Sequence, residues 1–147
     1  MKILIILLNK IIYCIGRCVK KGSSLPGKIA LKLDKNILSK IDLPKHIIMV
    51  TGSNGKTSTT EMIYSIFKEN GYNVGWNKEG SNQIEGVTTM ILNACNLRGK
   101  VKKDILVIES DERYLKYTTK YIKPTHLVIT NLYRDQMTRN RPSRANI

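Results

Sequence analysis

His46-Ile47-Ile48-Met49-Val50-Thr51-Gly52-Ser53-Asn54-Gly55-Lys56-Thr57 is an apolar run that stops abruptly at a polar loop flanked by glycines. The stretch His46 to Val50 is short, rich in β-branched residues and bounded by turn formers, which predicts a buried strand. A helix is predicted from Ser58, with Met62, Ile63, Ile66 and Phe67 on one face and Gly71, after Asn70, as its stop. Gly52 and Gly55 allow backbone conformations that a Cβ obstructs. Successive N–H groups then form a concave nest for phosphate oxygens, and the following helix adds the positive end of its dipole. In this reading Gly52, Ser53, Asn54, Gly55, Lys56, Thr57 and Ser58 bind the phosphates of a nucleotide. Lys56 reaches the terminal phosphates and the Thr57 hydroxyl ligates magnesium, with ATP the expected nucleotide. The general phosphate-loop pattern asks for a glycine five residues before Gly55, where Val50 stands. What remains is the shorter Gly-x-x-Gly-Lys-Thr; the alternative is a glycine-rich turn with a solvated lysine.

Outward from the loop, strand and helix patterns alternate. A second strand is predicted near Asn73 to Trp76, followed by a Gly/Asn/Ser loop from Lys78 to Gln83. A helix places Val87, Met90, Ile91, Ala94 and Cys95 on one face. Ile105 to Ile108 forms a third strand ending at Glu109, a short helical stretch covers Arg113 to Tyr121, and Leu127 to Thr130 forms a fourth strand ending at Asn131. Continuous apolar strands alternating with helices predict an α/β fold with a parallel sheet covered on both faces. Ligands of such sheets bind beyond the carboxyl ends of the strands. Gly52, Glu109 and Asn131 all fall there, so Asn131 joins the nucleotide-binding set. An unpaired carboxylate at the end of a buried strand is costly, and a cation held between Glu109 and Thr57 would relieve it. The alternative for Glu109 is a helix cap or a lysine partner. Asp111 and Glu112 are read as caps or partners of basic side chains. His46 and His126 are read as structural.

The flanks differ in charge. The whole chain has 25 basic and 11 acidic residues, a net charge of +14. Residues 1–46 hold ten Lys or Arg against two acids and residues 98–147 twelve against five, while residues 47–97 are nearly neutral. Such ends attract polyanions, or simply form a solvated lysine-rich surface. One Phe and one Trp give no basic-aromatic interleaving, so nucleic acid is not an expected partner. Three cysteines, Cys14, Cys18 and Cys95, fit a reducing cytoplasm and packing roles better than a disulfide framework. At the N-terminus, Ile3 to Leu8 and Ile11 to Ile15 are apolar around Asn9-Lys10. The run is too short to span a bilayer and has a poor secretory cleavage site. It predicts an amphipathic or buried helix, with an anionic membrane surface as a candidate partner. Gly22 to Gly27 reads as a loop and Lys28 to Leu43 as a mixed polar-apolar stretch. The expected organisation is an N-terminal helix and basic segment (1–43), an ATP-binding domain (44–140) and an irregular tail (141–147).

Val50 to Ser58 resembles the ATP loop of the Mur ligase superfamily, Ile108-Glu109-Ser110-Asp111-Glu112 its acidic motif, and Ile129 to Met137 its next strand and loop. The narrower segments Gly22 to Lys32 and Arg134-Asp135-Gln136 resemble MurT-type subunits of lipid II isoglutaminyl synthase. The resemblance implies the central ATPase domain of a Mur ligase, in incomplete form. It implies an enzyme that forms amide bonds in peptidoglycan synthesis. Such an enzyme activates the D-glutamate carboxylate of lipid II as an acyl phosphate, with ATP and magnesium as cofactors. A GatD-type glutaminase subunit would supply ammonia, and the location would be the cytoplasm, at the inner face of the membrane. Lys56 is carried over as the catalytic phosphate contact, and Thr57 and Glu109 as magnesium ligands. Asn82 is a further candidate for substrate or phosphate contact. Gln136 stands where relatives have a metal-binding histidine. The ending Arg139 to Ile147 is polar and aperiodic, unlike the family's continuation, so a truncated or frameshifted frame, or a deliberate fragment, that is inactive alone is expected.

Other readings compete. One is a non-catalytic nucleotide-binding regulatory or scaffold module, and a second is another Mur ligase or a ligase resembling folylpolyglutamate synthase. A third is a small kinase or GTPase, against which stand Val50 and the lack of an Asn-Lys-x-Asp guanine signature.

Overall fold

The predicted strand at 46–50 sits inside a parallel sheet. In the computed structural model, residues 1–18, 24–78 and 82–132 are described. The strands are β1 (His46–Thr51), β2 (Val74–Trp76), β3 (Ile105–Glu109) and β4 (His126–Ile129). The helices are α1 (Lys2–Cys18), α2 (Leu25–Leu33), α3 (Lys56–Glu69), α4 (Ile84–Ala94) and α5 (Leu115–Tyr121), with a 3-10 turn at Ile37–Lys40. The sheet order is β2-β3-β1-β4, every pairing parallel.

Side chains of β1 and β3 alternate between the faces. Ile47, Met49, Leu106 and Ile108 join one cluster with Ile5 and Ile6 of α1, Ala30 of α2, Ile37 and Leu38, and Val87 and Ile91 of α4. Ile48, Val50, Ile105 and Val107 join Val74 in a smaller cluster, against Ile63, Tyr64 and Phe67 of α3. The larger cluster thus draws on residues both before and after position 44. α1 and α2 pack against each other and on α4. The approach of α2 to α4 requires Gly27, because a Cβ there would fall 1.9 Å from the Glu85 carbonyl oxygen. The Gly27 N–H donates to Thr89 Oγ1 at 2.8 Å.

Several expectations are corrected. The segment read as a loop up to Gly27 is already helical from Leu25, with Pro26 in the first turn, where its missing N–H costs nothing; Gly22 and Ser23 lie outside the described residues. α3 begins at Lys56 rather than Ser58, because Gly55 takes a left-handed conformation (φ 78°) at its N-cap. Met62 and Ile66 are exposed, so the packed stripe of α3 is Ile63, Tyr64 and Phe67. β4 ends one residue early and is mostly exposed, with Leu127 and Ile129 open to solvent. Gln136 and the tail lie outside the described residues.

Connections explain where the site falls. From β1 the chain crosses by α3 on one face to edge strand β2; from β3 it crosses by α5 to β4 at the other edge. Neighbouring strands β1 and β3 therefore send their exits in opposite directions, and the crevice between their carboxyl ends is a topological switch point.

Candidate functional site

Strand register assembles this crevice. Val50 pairs with Glu109 and Thr51 with Ile129, so the loop after β1 emerges between the ends of β3 and β4. Gly52 (φ 133°) has no room for a side chain: a Cβ would lie 2.3 Å from Thr130 Oγ1 and 2.7 Å from the Asn131 carbonyl oxygen. The residues after β4 tie the loop down. The Ser53 N–H donates to Asn131 O (3.0 Å) and the Asn54 N–H to Asn131 Oδ1 (3.0 Å). In return Asn131 Nδ2 donates to Asn54 O (3.0 Å), as does Thr130 Oγ1 (2.7 Å). Asn131, expected to bind nucleotide, is here the side chain that fixes the loop's backbone.

Ser53, Asn54, Gly55, Lys56, Thr57 and Ser58 line a hollow of about 420 Å³, closed on the other side by Asn82, Glu109, Asp111 and Glu112. Thr57 and Ser58 are exposed in the first turn of α3, where backbone N–H groups have no partners within the helix. Lys56 Nζ lies over the loop, donating to Gly52 O (2.5 Å) and Ser53 O (3.0 Å), with Glu112 Oε2 at 3.7 Å. Its ammonium therefore stays within the hollow. The Glu109 backbone is fixed by Asn77, which accepts from its N–H (2.9 Å) and donates to its carbonyl (2.9 Å). Asn82 accepts the Asp111 N–H through its carbonyl at 3.0 Å, which holds the loop before α4 against the end of β3.

The residues after Glu109 divide into two kinds. Asp111 is gripped by Arg113, whose Nε and Nη2 donate to its two carboxylate oxygens at 2.9 and 2.8 Å. The Arg113 guanidinium holds the Asp111 carboxyl below its ordinary range, with Lys56 a smaller contributor, and Asp111 in turn raises the Arg113 pKa. Glu112 has no such clamp: its Oε2 is buried and accepts no hydrogen bond. Reading from sequence placed Glu112 only as a cap or a partner of a basic side chain; the partner turns out to be Lys56, inside the site. The available signal was its position three residues beyond Glu109. The orphaned Glu112 oxygen, the Glu109 carboxylate and the Thr57 hydroxyl are hard oxygen donors around one hollow, a set that fits magnesium shared with phosphates. Among the described residues no group of three or more His, Cys, Asp or Glu forms a self-sufficient metal cage.

The remaining singled-out residues lie elsewhere. Cys95 is buried, which pushes its thiol up to about 11, and Cys14 is exposed on α1. His126 Nδ1 meets Thr125 Oγ1 at 3.1 Å. A second hollow of about 540 Å³ runs beside β2, between Tyr64 and Trp76 on one side and Met90 and Asn93 on the other; it shares no lining residue with the loop.

The model of the Mur ligase middle domain matches residues 50–139, from the end of β1 through the segment that fixes the loop. The chain belongs to the Mur ligase family. It is 45% identical over 119 residues to the lipid II isoglutaminyl synthase (glutamine-hydrolyzing) subunit MurT of Streptococcus pneumoniae, a match covering 81% of this chain and 26% of the relative. It is 37% identical over 121 residues to the MurT subunit of Staphylococcus aureus strain COL, covering 82% and 27%. A more distant relative is the UDP-N-acetylmuramoyl-tripeptide–D-alanyl-D-alanine ligase of Buchnera aphidicola, 36% identical over 92 residues, 62% of this chain and 19% of that one. The chain thus spans about a quarter of the length of the MurT relatives it matches. No helix among the described residues is long and apolar enough to cross a membrane.

Proposed function

We propose that this chain is the phosphate-binding part of a MurT-type ligase that uses ATP and magnesium to amidate the D-glutamate of lipid II. The observation that carries the reading is the hollow itself, in which a glycine loop, a helix N-terminus and one lysine face the carboxylates of Glu109, Asp111 and Glu112 across the switch point of a parallel sheet. Residues 44–140 would hold the nucleotide, with residues 1–43 packed against them as a basic helical lead and 141–147 as a tail. Gly55, Lys56, Thr57 and Ser58 would present backbone N–H groups to the phosphates at the end of the loop and in the first helical turn, while Gly52, Ser53 and Asn54, the last two tied by their N–H groups to Asn131, would shape the loop. Asn131 would serve binding by keeping that loop in shape. Lys56 would leave the Gly52 and Ser53 carbonyls for the terminal phosphates, and Glu109, Thr57 and Glu112 would hold magnesium. The bound metal would neutralise phosphate charge during transfer.

The chemistry has two steps. A substrate carboxylate oxygen attacks the γ-phosphorus, and the bond to the bridging oxygen breaks to release ADP. Ammonia then displaces phosphate from the acyl phosphate to leave the amide. Asn82, near Asp111 at the rim, and Gln136 are the residues proposed for substrate or further metal contact. The ammonia would come from a GatD-type glutaminase partner, and the work would be done in the cytoplasm at the inner face of the membrane, where lipid II is accessible.

Titration calorimetry with ATP tests the site. Lys56→Ala should weaken binding by about 1.5–3 kcal/mol, the value of a charge-assisted contact. In the same titrations Glu109→Gln and Glu112→Gln should each reduce the gain in affinity that magnesium brings. Equal affinity of Lys56→Ala and the parent protein would remove the nucleotide from this hollow. An undiminished magnesium effect in both glutamine variants would leave the carboxylates a structural role.

A further inference from the structure

The outer face of α1 is an exposed apolar surface that the ligase reading leaves unused. α1 buries Ile5, Ile6 and Asn9 against the body of the fold, and Asn9 Nδ2 donates to Asn93 Oδ1 at 3.0 Å. On the opposite side Ile3, Leu4, Leu7, Ile11 and Ile15 are exposed, at 56%, 67%, 43%, 48% and 61%. At 3.6 residues per turn these five side chains fall within an arc of about 120°, so they form one stripe rather than scattered singles. A helix apolar on both sides is ordinarily covered on both. With 17 residues α1 is about 25 Å long, too short to cross a hydrocarbon core of about 30 Å.

Charge selects the cover. The first 33 residues contain seven Lys or Arg and no acid. Lys2 and Lys10 turn back to the protein, donating to Lys40 O (3.4 Å) and Asn93 O (2.7 Å). Arg17 at the end of α1, and Lys28 and Lys32 on the neighbouring α2, are exposed. An apolar stripe on a segment whose charged residues are all basic suits a surface that offers hydrocarbon beneath negative headgroups. A second copy of the same helix would instead bring like charges together.

We infer that α1 lies in the plane of an anionic bilayer, with Ile3, Leu4, Leu7, Ile11 and Ile15 inserted below the headgroups and Arg17, Lys28 and Lys32 at their level. The stripe stands independently of the nucleotide site; the inference rests on the ligase reading only for its purpose, which is to bring that site to a lipid-linked substrate. The test is co-sedimentation with vesicles of phosphatidylglycerol and phosphatidylcholine, against phosphatidylcholine alone, with ATP titration of the same preparations. The protein should pellet with the anionic vesicles. Leu7→Glu/Ile11→Glu should partition at least tenfold less at an unchanged melting temperature. Leu4→Gln/Ile15→Gln, at the two most exposed positions of the stripe, serves as the second variant if the first fails to fold. Absence of pelleting, or equal pelleting of parent and folded variants, overturns the inference. So does self-association in size-exclusion chromatography that the variants relieve without any vesicle binding. Vesicle binding retained with ATP binding absent sinks the nucleotide reading and leaves this one standing; the reverse result does the opposite.

Discussion

On one face of the sheet, Ile47, Met49, Leu106 and Ile108 lie beneath α4 and α5, with α1, α2 and the turn at Ile37–Lys40 extending the same cluster. On the other face, Ile48, Val50, Ile105 and Val107 meet α3 through the apolar side chains Ile63, Tyr64 and Phe67, with Val128 at the margin. The thick face anchors the strands; the thin face carries the loop, whose helix must begin in the open so that its first turn can meet a ligand. A core deletion on each face sharpens the contrast. Leu106→Ala and Ile48→Ala remove similar volumes from adjacent central strands, and such changes cost about 2–5 kcal/mol according to how far the surroundings can relax. Leu106, fully buried in the larger cluster, should fall at the upper end, and Ile48, 9% exposed beneath one helix, at the lower. Urea unfolding at constant slope measures both. Equal losses would mean that the two faces contribute alike.

The next effect lies in the loop and compares its two glycines. At Gly52 both φ (133°) and space oppose a side chain; at Gly55 only φ (78°) does, since nothing stands within 4 Å of a Cβ there. Holding a non-glycine residue at such a φ costs about 1–3 kcal/mol. Gly55→Ala should cost about that much and no more. Gly52→Ala should cost more, and should also part the loop from Thr130 and Asn131, weakening ATP binding beyond its effect on stability. Thermal unfolding and calorimetry on both variants decide it. A larger loss from Gly55→Ala would show that the stitch to β4 does not shape the loop.

The strands, the loop and α4 could be read from the sequence, the unequal faces and unequal glycines could not, and the misses are physical. β1 and β3 were legible because a strand buried on both faces must be continuously apolar, and the loop because its glycines are forced by backbone geometry. α4 was legible because its apolar residues fall on one stripe, and Val87 and Ile91 are indeed fully buried. α2 was hidden by Gly22 to Gly27, a composition that mimics a loop, although proline is tolerated in a first turn and Gly27 serves a helix crossing. Glu112 was hidden because its place beside Lys56 arises from the chain turning back after β3, which no local pattern encodes. The outward stripe of α1 was half legible: periodicity marked the helix amphipathic or buried, but not that both of its sides are apolar.

The smallest predicted effect concerns the helix whose face was misread. Met62, Ile63, Ile66 and Phe67 share helical spacing, yet the packed side of α3 passes through Thr60, Ile63, Tyr64 and Phe67. Thr60 is fully buried and donates its hydroxyl to Lys56 O at 2.7 Å, so its polar group is satisfied within the helix, and the packed side lies about 80° around the axis from the stripe that apolarity alone suggests. Tyr64 and Phe67 then find aromatic partners, Trp76 at 5.1 Å and Tyr72 at 5.7 Å between ring centroids. Such pairs add about 0.5–1.5 kcal/mol each beyond area burial, which works in favour of this rotation. Met62→Ala and Ile66→Ala, at 64% and 53% exposure, should therefore shift stability by no more than about 0.5 kcal/mol. Phe67→Ala, which loses both its core contact and its aromatic partner, should exceed 1 kcal/mol by the same measure. A loss above 1 kcal/mol at Met62 or Ile66 would mean that a further layer covers α3 in solution, and the thin face would then be thin only in this part of the molecule.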